Sequence, residues 1–429
     1  MTNTQILQLL QQEVVPAIGC TEPIAVALCV AKAKEQLGCE PDAITVHLSK
    51  NVYKNALAVG IPNTRMTGLP IAIALGATIG KSQYMLEVLR DATPKAVEYA
   101  KEYMVRVPAR IHVDYQAPSI LYIHAEVEAN GKTAQATIMD EHTKFITPDS
   151  ERPIAAPAAS NSEASSLLSL RRVFDFATSV DTAELDFLLK GAEMNSAAAE
   201  SSFANQYGHG LGRLLRSTSK SVSDPISNSV SGLFGNTLFT KIISYTCGAC
   251  DARMSGAMVQ VMSNSGSGNQ GITCSIPVYL YAKETSCDQE KTLRALALSN
   301  LTAIYIKQSL GRLSALCGCV VAATGSAAGI TYLMGGDYEE ITYAIKNMIA
   351  NISGMICDGA KPGCALKVTI GVATAIFSAY LAMQHSYAQA TEGIVEDDID
   401  RTIRNLTRIG HDGMQVTDDL ILDIMTHKK

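Results

Sequence analysis

Residues 119–140 read SILYIHAEVEANGKTAQATIMD, and this stretch decides the fold. Apolar and polar side chains alternate on both sides of Asn130–Gly131. An Asn-Gly pair between two alternating runs is the strongest short-range hairpin signal. The pattern predicts antiparallel strands over 119–129 and Lys132–Met139. The same alternation at 43–49 (AITVHLS) and 110–116 adds further strands, with helices expected at 69–80 and 84–105.

Outside this region the apolar period becomes helical. Residues 2–15 form one helical pattern, and a second helix is expected from Glu22 to Leu37, with Thr21 as N-cap and Pro23 in its first turn. Residues 147–165 are rich in Pro, Ala and Ser and read as a domain connection. Helices are then expected at 167–177, 182–204, 205–217, 237–246, 290–310, 312–333, 338–353, 365–388, 397–408 and 416–426. The expected fold class is α+β. A large, mostly α-helical domain is discontinuous, residues 1–40 packing with 166–429. A small α/β sheet domain is inserted at 41–150, and 151–165 is the linker.

Of 429 residues, 47% are hydrophobic and 18% charged, against about 25% charged in an ordinary domain. There is no tryptophan, so the core is expected to be Ala, Leu, Ile, Val and Met, with helices packed through small side chains. A net charge of −6 argues against a nucleic-acid footprint, and no basic amphipathic stretch points to a membrane surface. The apolar runs 318–334 and 368–383 are short for spans of about 20 residues and read as buried helices. The first residues lack the pattern of an export signal. Together with eleven cysteines, an odd number, this places the chain in the reducing cytoplasm.

Some of those cysteines sit where chemistry is possible. Cys357 and Cys364 bracket a Gly- and Pro-punctuated loop, CDGAKPGC, between apolar helices, and two thiolates on one curled loop can converge on a metal or cluster. Cys317 or Cys319 could add a third ligand, although the spacing matches neither a zinc ribbon nor a ferredoxin run, and buried core thiols fit it as well. The pair Cys247–Cys250 has no βαβ context and reads as core. Cys20 precedes a helix, whose N-terminus is expected to lower the thiol pKa. The polar run Ser263–Gly271 (SNSGSGNQG) offers hydroxyls and backbone N–H groups to an anion, without matching a P-loop. In Asn51-Val52-Tyr53-Lys54-Asn55, Lys54 could pair with a carboxylate, flanked by amide donors. His142 and His209 lie in polar loops without metal-pair spacing.

Taken together, Gly19–Pro23 (GCTEP), Asn51–Asn55 (NVYKN), Asp251–Met254 (DARM), Ser263–Gly271, Arg312–Cys317 (RLSALC) and Met355–Gly359 (MICDG) resemble the iron–sulfur L-cysteine desulfidases. That family is related through its helical domain to the iron–sulfur L-serine dehydratases, and the similarity runs in order along nearly the whole chain. The resemblance implies a 4Fe–4S cluster held by Cys317, Cys357 and Cys364, with Cys20 as the proposed base. The catalytic set it suggests is Cys20, Glu22 and Lys54. The substrate-binding set is Asn51, Asn55, Ser263, Asn264, Ser265, Ser267, Asn269 and Gln270. The implied reaction is β-elimination from L-cysteine to pyruvate, ammonia and sulfide, without pyridoxal phosphate. L-serine dehydration is the nearest alternative. A pyridoxal enzyme using Lys54, or a helical thiol scaffold without a cluster, are the rivals. The expected partners are a small amino-acid substrate and a second copy in a homodimer.

Overall fold

The computed structural model describes residues 1–146, 168–217 and 234–428. The fold is α+β, a large helical body beside a small mixed sheet. Helix α1 (Asn3–Glu13) starts with a capping box between Thr2 and Gln5. Strand β1 (Pro16–Ile18) leads into α2 (Thr21–Leu37), which Gly38 ends at φ 81°. Cys20, not Thr21, takes the N-cap position, and no side chain caps this end.

The sheet contains β2 (Ala43–Ser49), β3 (Arg110–Asp114), β4 (Tyr122–Ala129) and β5 (Lys132–Met139), in the order β3-β2-β4-β5. The hairpin forms as expected, with Ala129 opposite Lys132 and both Asn130 and Gly131 at positive φ. Strand β2 runs antiparallel to β4 and parallel to β3. Helices α3 (Lys50–Ala56), α4 (Leu69–Thr78) and α5 (Pro94–Arg106) complete this half. The single helix expected over 84–105 is instead a 3-10 segment, Ser82–Glu87, and α5. Pro94 explains the break, because the residue before a proline is driven out of helical geometry, and Thr93 is extended.

The helical body comprises α6 (Leu170–Ser179), α7 (Asp186–Ala204), α8 (Leu211–Ser217), α9 (Leu238–Met254), α10 (Gly268–Glu284), α11 (Gln289–Leu310) and α12 (Gly318–Leu333). It continues through α13 (Tyr338–Ile352), α14 (Cys364–Ala382), α15 (Ile399–Arg408) and α16 (Gln415–Thr426), with a π-helical turn, Ile409–Gly413, before the last. A short strand, β6 (Gln260–Met262), pairs with β1. Two expectations change here. Helix α10 has no counterpart in the sequence reading, because Gly268, Gly271 and Pro277 look like turn residues. The helix expected from 312 begins only at Gly318, because the preceding residues bond to 355–357 instead. The connection expected at 147–165 lies outside the described residues.

Two apolar cores result. Ile6, Leu10 and Val14 of α1 join the large cluster of the helical body. Helix α2, expected with the same body, instead packs between the sheet and α4, with Ile24 to Val30 buried without interruption. A helix apolar on every side needs neighbours on every side, and the sheet face supplies one of them. Among the described residues one helix, α14, is long and apolar enough to cross a membrane, and 44% of its most apolar stretch is buried.

The close packing of small residues is concrete at α11 and α12. A Cβ at Gly325 would stand 2.3 Å from the Ser299 carbonyl oxygen, and one at Gly329 would stand 2.9 Å from that of Ala295. Replacing Gly325 by Ala must push the two backbones apart. The expected result is a loss of about 1–3 kcal/mol of unfolding free energy, read as a lower urea midpoint.

Candidate active site

A three-residue pairing builds the first wall. Strand β1 lies antiparallel to β6, Pro16 opposite Met262 and Ile18 opposite Gln260, so the residues just before β1 lie beside the serine-rich run. Ser263 donates through both its backbone N–H (2.8 Å) and its hydroxyl (2.7 Å) to the Val15 carbonyl, and the Ser265 N–H donates to Glu13 (3.0 Å). Residues 264–267 make a tight turn in which Ser265 and Gly266 have φ of 49° and 75°. Ser267 caps α10, so Asn269 and Gln270 stand in its first turn.

The second wall comes from the cysteine loops. The Cys317 N–H donates to the Met355 carbonyl (2.9 Å) and the Cys357 N–H to that of Ala315 (2.7 Å), which docks the two segments side by side. Gly359 turns the loop at φ 84° against the Lys54 carbonyl, and the Cys364 thiol donates back to the Gly359 carbonyl (3.7 Å). Asp358 is gripped by Lys361 and Lys367. Burial opposes its charge, yet these two ammonium groups hold its pKa down to about 2.

Between the walls lies a cavity of about 110 Å³. Cys20, Glu22, Asn55, Ser267, Asn269, Gln270, Cys317, Cys357 and Cys364 all line it, so most of the residues singled out from the sequence meet here. Arg253, Lys307 and Cys319 line it too, and the sequence reading gave none of them a role beyond an open choice for Cys319. The DARM run flagged Arg253, but nothing in a lone arginine on an apolar helix told which way it faces.

Other expected site residues do not border this cavity. The Asn264 amide donates to Asn300, and the Ser265 hydroxyl donates to Asn264. These residues, with Ser263, build the turn rather than the cavity wall. Asn51 faces a different pocket beside the π-helical turn. Lys54 is 2% exposed, pairs with Asp418 of α16 and donates to the Cys357 carbonyl (3.4 Å).

Electrostatics separates the two helix-capping thiols. Cys20 was expected to be acidified, but burial and the neighbouring Glu22 carboxylate push its pKa well above the ordinary thiol value. It therefore stands as a thiol, donating to Glu22 Oε2 at 3.2 Å. Burial works against the charge on Glu22, yet His142, the Cys20 thiol and Arg253 together hold its carboxyl below the usual range. The Asn55 amide donates to the other Glu22 oxygen at 3.0 Å. Cys317 has the opposite fate. The adjacent Cys319 thiol outweighs burial and, aided by Lys367 and Lys361, brings Cys317 down to about 7. Burial raises Cys357 to about 11.

The Lys54–Asp418 pair ties α3 and the cysteine loop to α16. Removing one partner of a buried pair strands the other charge. Lys54→Met should therefore lower unfolding free energy by about 3–5 kcal/mol in urea titration. The double change Lys54→Met with Asp418→Leu should recover most of that loss.

The chain is similar to UPF0597 proteins over its whole length. The UPF0597 protein of Phocaeicola vulgatus is 56% identical over 430 residues, covering 99% of this chain and 98% of its own length. A UPF0597 protein of Bacteroides thetaiotaomicron is 54% identical over 429 residues, covering 99% and 98%. One of Porphyromonas gingivalis is 47% identical over 439 residues, covering 100% and 99%. The family described as serine dehydratase alpha chain matches residues 83–423, a stretch that holds strands β3, β4 and β5, the serine-rich turn and the Cys317, Cys357 and Cys364 wall. On that match, the chain belongs to the serine dehydratase alpha chain family.

Proposed function

We propose that this protein is a pyridoxal-independent iron–sulfur lyase that removes the β-substituent of a small amino acid, with L-cysteine as its leading substrate. One observation carries the reading: Cys317, Cys357 and Cys364 open onto the same small cavity as the hydrogen-bonded Cys20–Glu22 pair. The donor set fits a 4Fe–4S cluster. Three soft thiols from two segments face one space, and Lys361, Lys367 and Lys307 favour their thiolate forms or are favoured by them. Among the described residues no three His, Cys, Asp or Glu side chains are grouped to hold a single metal ion. A cubane spreads its ligands over separate irons, so its thiolates need not converge on one point. A bound cluster with one iron free of protein thiolate supplies a Lewis acid to the substrate.

The chain's own groups supply orientation and proton transfer. Cys20 holds its proton toward Glu22 and is the proposed base; burial and Glu22 keep that proton on sulfur in the free protein, so it is as the thiolate formed on loading of the site that Cys20 would accept the substrate's Cα proton. Asn55 fixes the carboxylate from the other side. As the Cα–H bond breaks, its electron pair forms the Cα–Cβ double bond and the Cβ–S bond breaks, sulfide leaving with a proton. The aminoacrylate released then tautomerises and takes up water to give pyruvate and ammonia. Ser267, Asn269 and Gln270 stand where they could orient the substrate. Serine dehydration is the second reading, favoured by the family description, and uses the same groups with hydroxide leaving.

Protein purified without oxygen should contain about four irons per chain and release pyruvate and sulfide from L-cysteine. Pyruvate chiefly from L-serine would move the reading to dehydration, and no iron after reconstitution would end it. Cys20→Ala should keep its iron and lose about 100-fold or more in turnover, whereas Cys357→Ala should lose iron. Iron loss in Cys20→Ala would make that residue a ligand instead.

A further inference from the structure

Three cations line the cavity: Arg253, Lys307 and Arg312. Their surroundings differ. Arg312 is spent on Glu13, with two hydrogen bonds of 2.8 and 2.7 Å. Lys307 donates to the Arg312 carbonyl (2.9 Å), and the charges nearest it include the thiols of Cys357 and Cys317. Arg253 lies at the other end, in the field of Cys20 and Glu22. It is 2% exposed, and its one hydrogen bond among the described residues is neutral, from Nη1 to Asn269 Oδ1 at 3.0 Å. Its Nε and Nη2 are buried and have no hydrogen-bond partner among the described residues.

A buried guanidinium with two donors unpartnered and no direct ion pair among the described residues is costly unless a ligand's acceptors meet them. The fold makes room for this group deliberately. A Cβ at Gly268 would come within 2.3 Å of Arg253 Nε, so only glycine lets the side chain lie along the start of α10. The neighbouring Gln270 and Asn55 each keep an unpartnered side-chain oxygen, Oε1 and Oδ1, on the same cavity. Idle donors on a cation, idle acceptors beside it and the Glu22 carboxylate make a lining complementary to a zwitterion.

We infer that Arg253 binds the α-carboxylate of the amino-acid substrate, with the acceptors around Glu22 taking its ammonium group. The assignment rests on the lyase reading for the substrate class and on the unpaired guanidinium for the residue. It makes Arg253, which the serine-rich turn only positions, the group that reads the carboxylate. An arginine can do so with two parallel hydrogen bonds.

The test is binding of L-alanine, which carries no leaving group, against L-alaninamide, by calorimetry on anaerobic holoprotein. Wild type should bind L-alanine about 10- to 100-fold tighter than the amide. Arg253→Gln should lose that preference, and Arg253→Lys should keep part of it. Asn269→Asp, which gives the guanidinium an internal anion, should also abolish L-alanine binding while retaining iron. That second variant covers the case in which Arg253→Gln misfolds. In turnover, Arg253→Gln should raise KM by the same factor with kcat nearly held. Equal affinity of wild type for L-alanine and its amide would overturn the assignment even if pyruvate is made. A fall in kcat at unchanged KM would overturn it too, moving Arg253 to the Cys20–Glu22 charge. L-alanine binding without pyruvate from cysteine or serine would keep the carboxylate subsite and end the lyase reading.

Discussion

The arrangement of the cavity depends on the short antiparallel pairing of Pro16–Ile18 with Gln260–Met262. It is only three residues long, yet it joins the start of the chain to the middle of the helical body. Ser263 doubles the tie by giving both its donors to Val15. The fold has two apolar cores, and the cavity lies where their polar edges meet.

That seam explains an unusual concentration of charge in a chain with few charges. Glu22, Arg253 and Lys307 are all nearly excluded from water, as are Lys54 and Asp418 just behind them. Burying such groups is unfavourable unless each finds an opposite charge or a hydrogen bond. Lys54 and Asp418 answer one another, and Arg312 is answered by Glu13. Arg253 feels the field of Glu22 but forms no ion pair among the described residues. The packing around the seam is correspondingly intolerant, with glycines at 268, 271 and 359 set against neighbouring side chains or backbone.

Much of the architecture was legible because local rules dominate where they are strong. The Asn130–Gly131 hairpin and the alternation of 43–49 report backbone geometry directly, and both form. Local rules misled where tertiary contacts overrule them. The polar run through Gly268 and Gly271 hid a helix start, because the glycines are there for close approach, and the helix runs through both and on past Pro277. A helix start predicts an acidic thiol. That fails for Cys20, where burial and the carboxylate two residues on win, while Cys317 is lowered by the Cys319 thiol and two lysines. Lys54 and Arg253 show the same limit. Each is a lone cation in its segment, and only the fold tells that one is locked to Asp418 while the other faces the cavity. The cysteine positions were legible as a set, because a curled loop between apolar helices limits where its thiols can go.

The bond between Lys54 and Asp418 has a consequence for the order in which the protein folds. The Lys54 ammonium on α3 reaches both Asp418 of α16 and the carbonyl of Cys357, so three segments far apart in sequence share one buried charge. Contacts this distant in sequence close slowly. The side of the thiol wall that carries Cys357 therefore belongs with the later events of folding, after the hairpin and the local helices. The pair acts as a latch on assembly, at a point that neither the cysteine loop nor α3 holds alone.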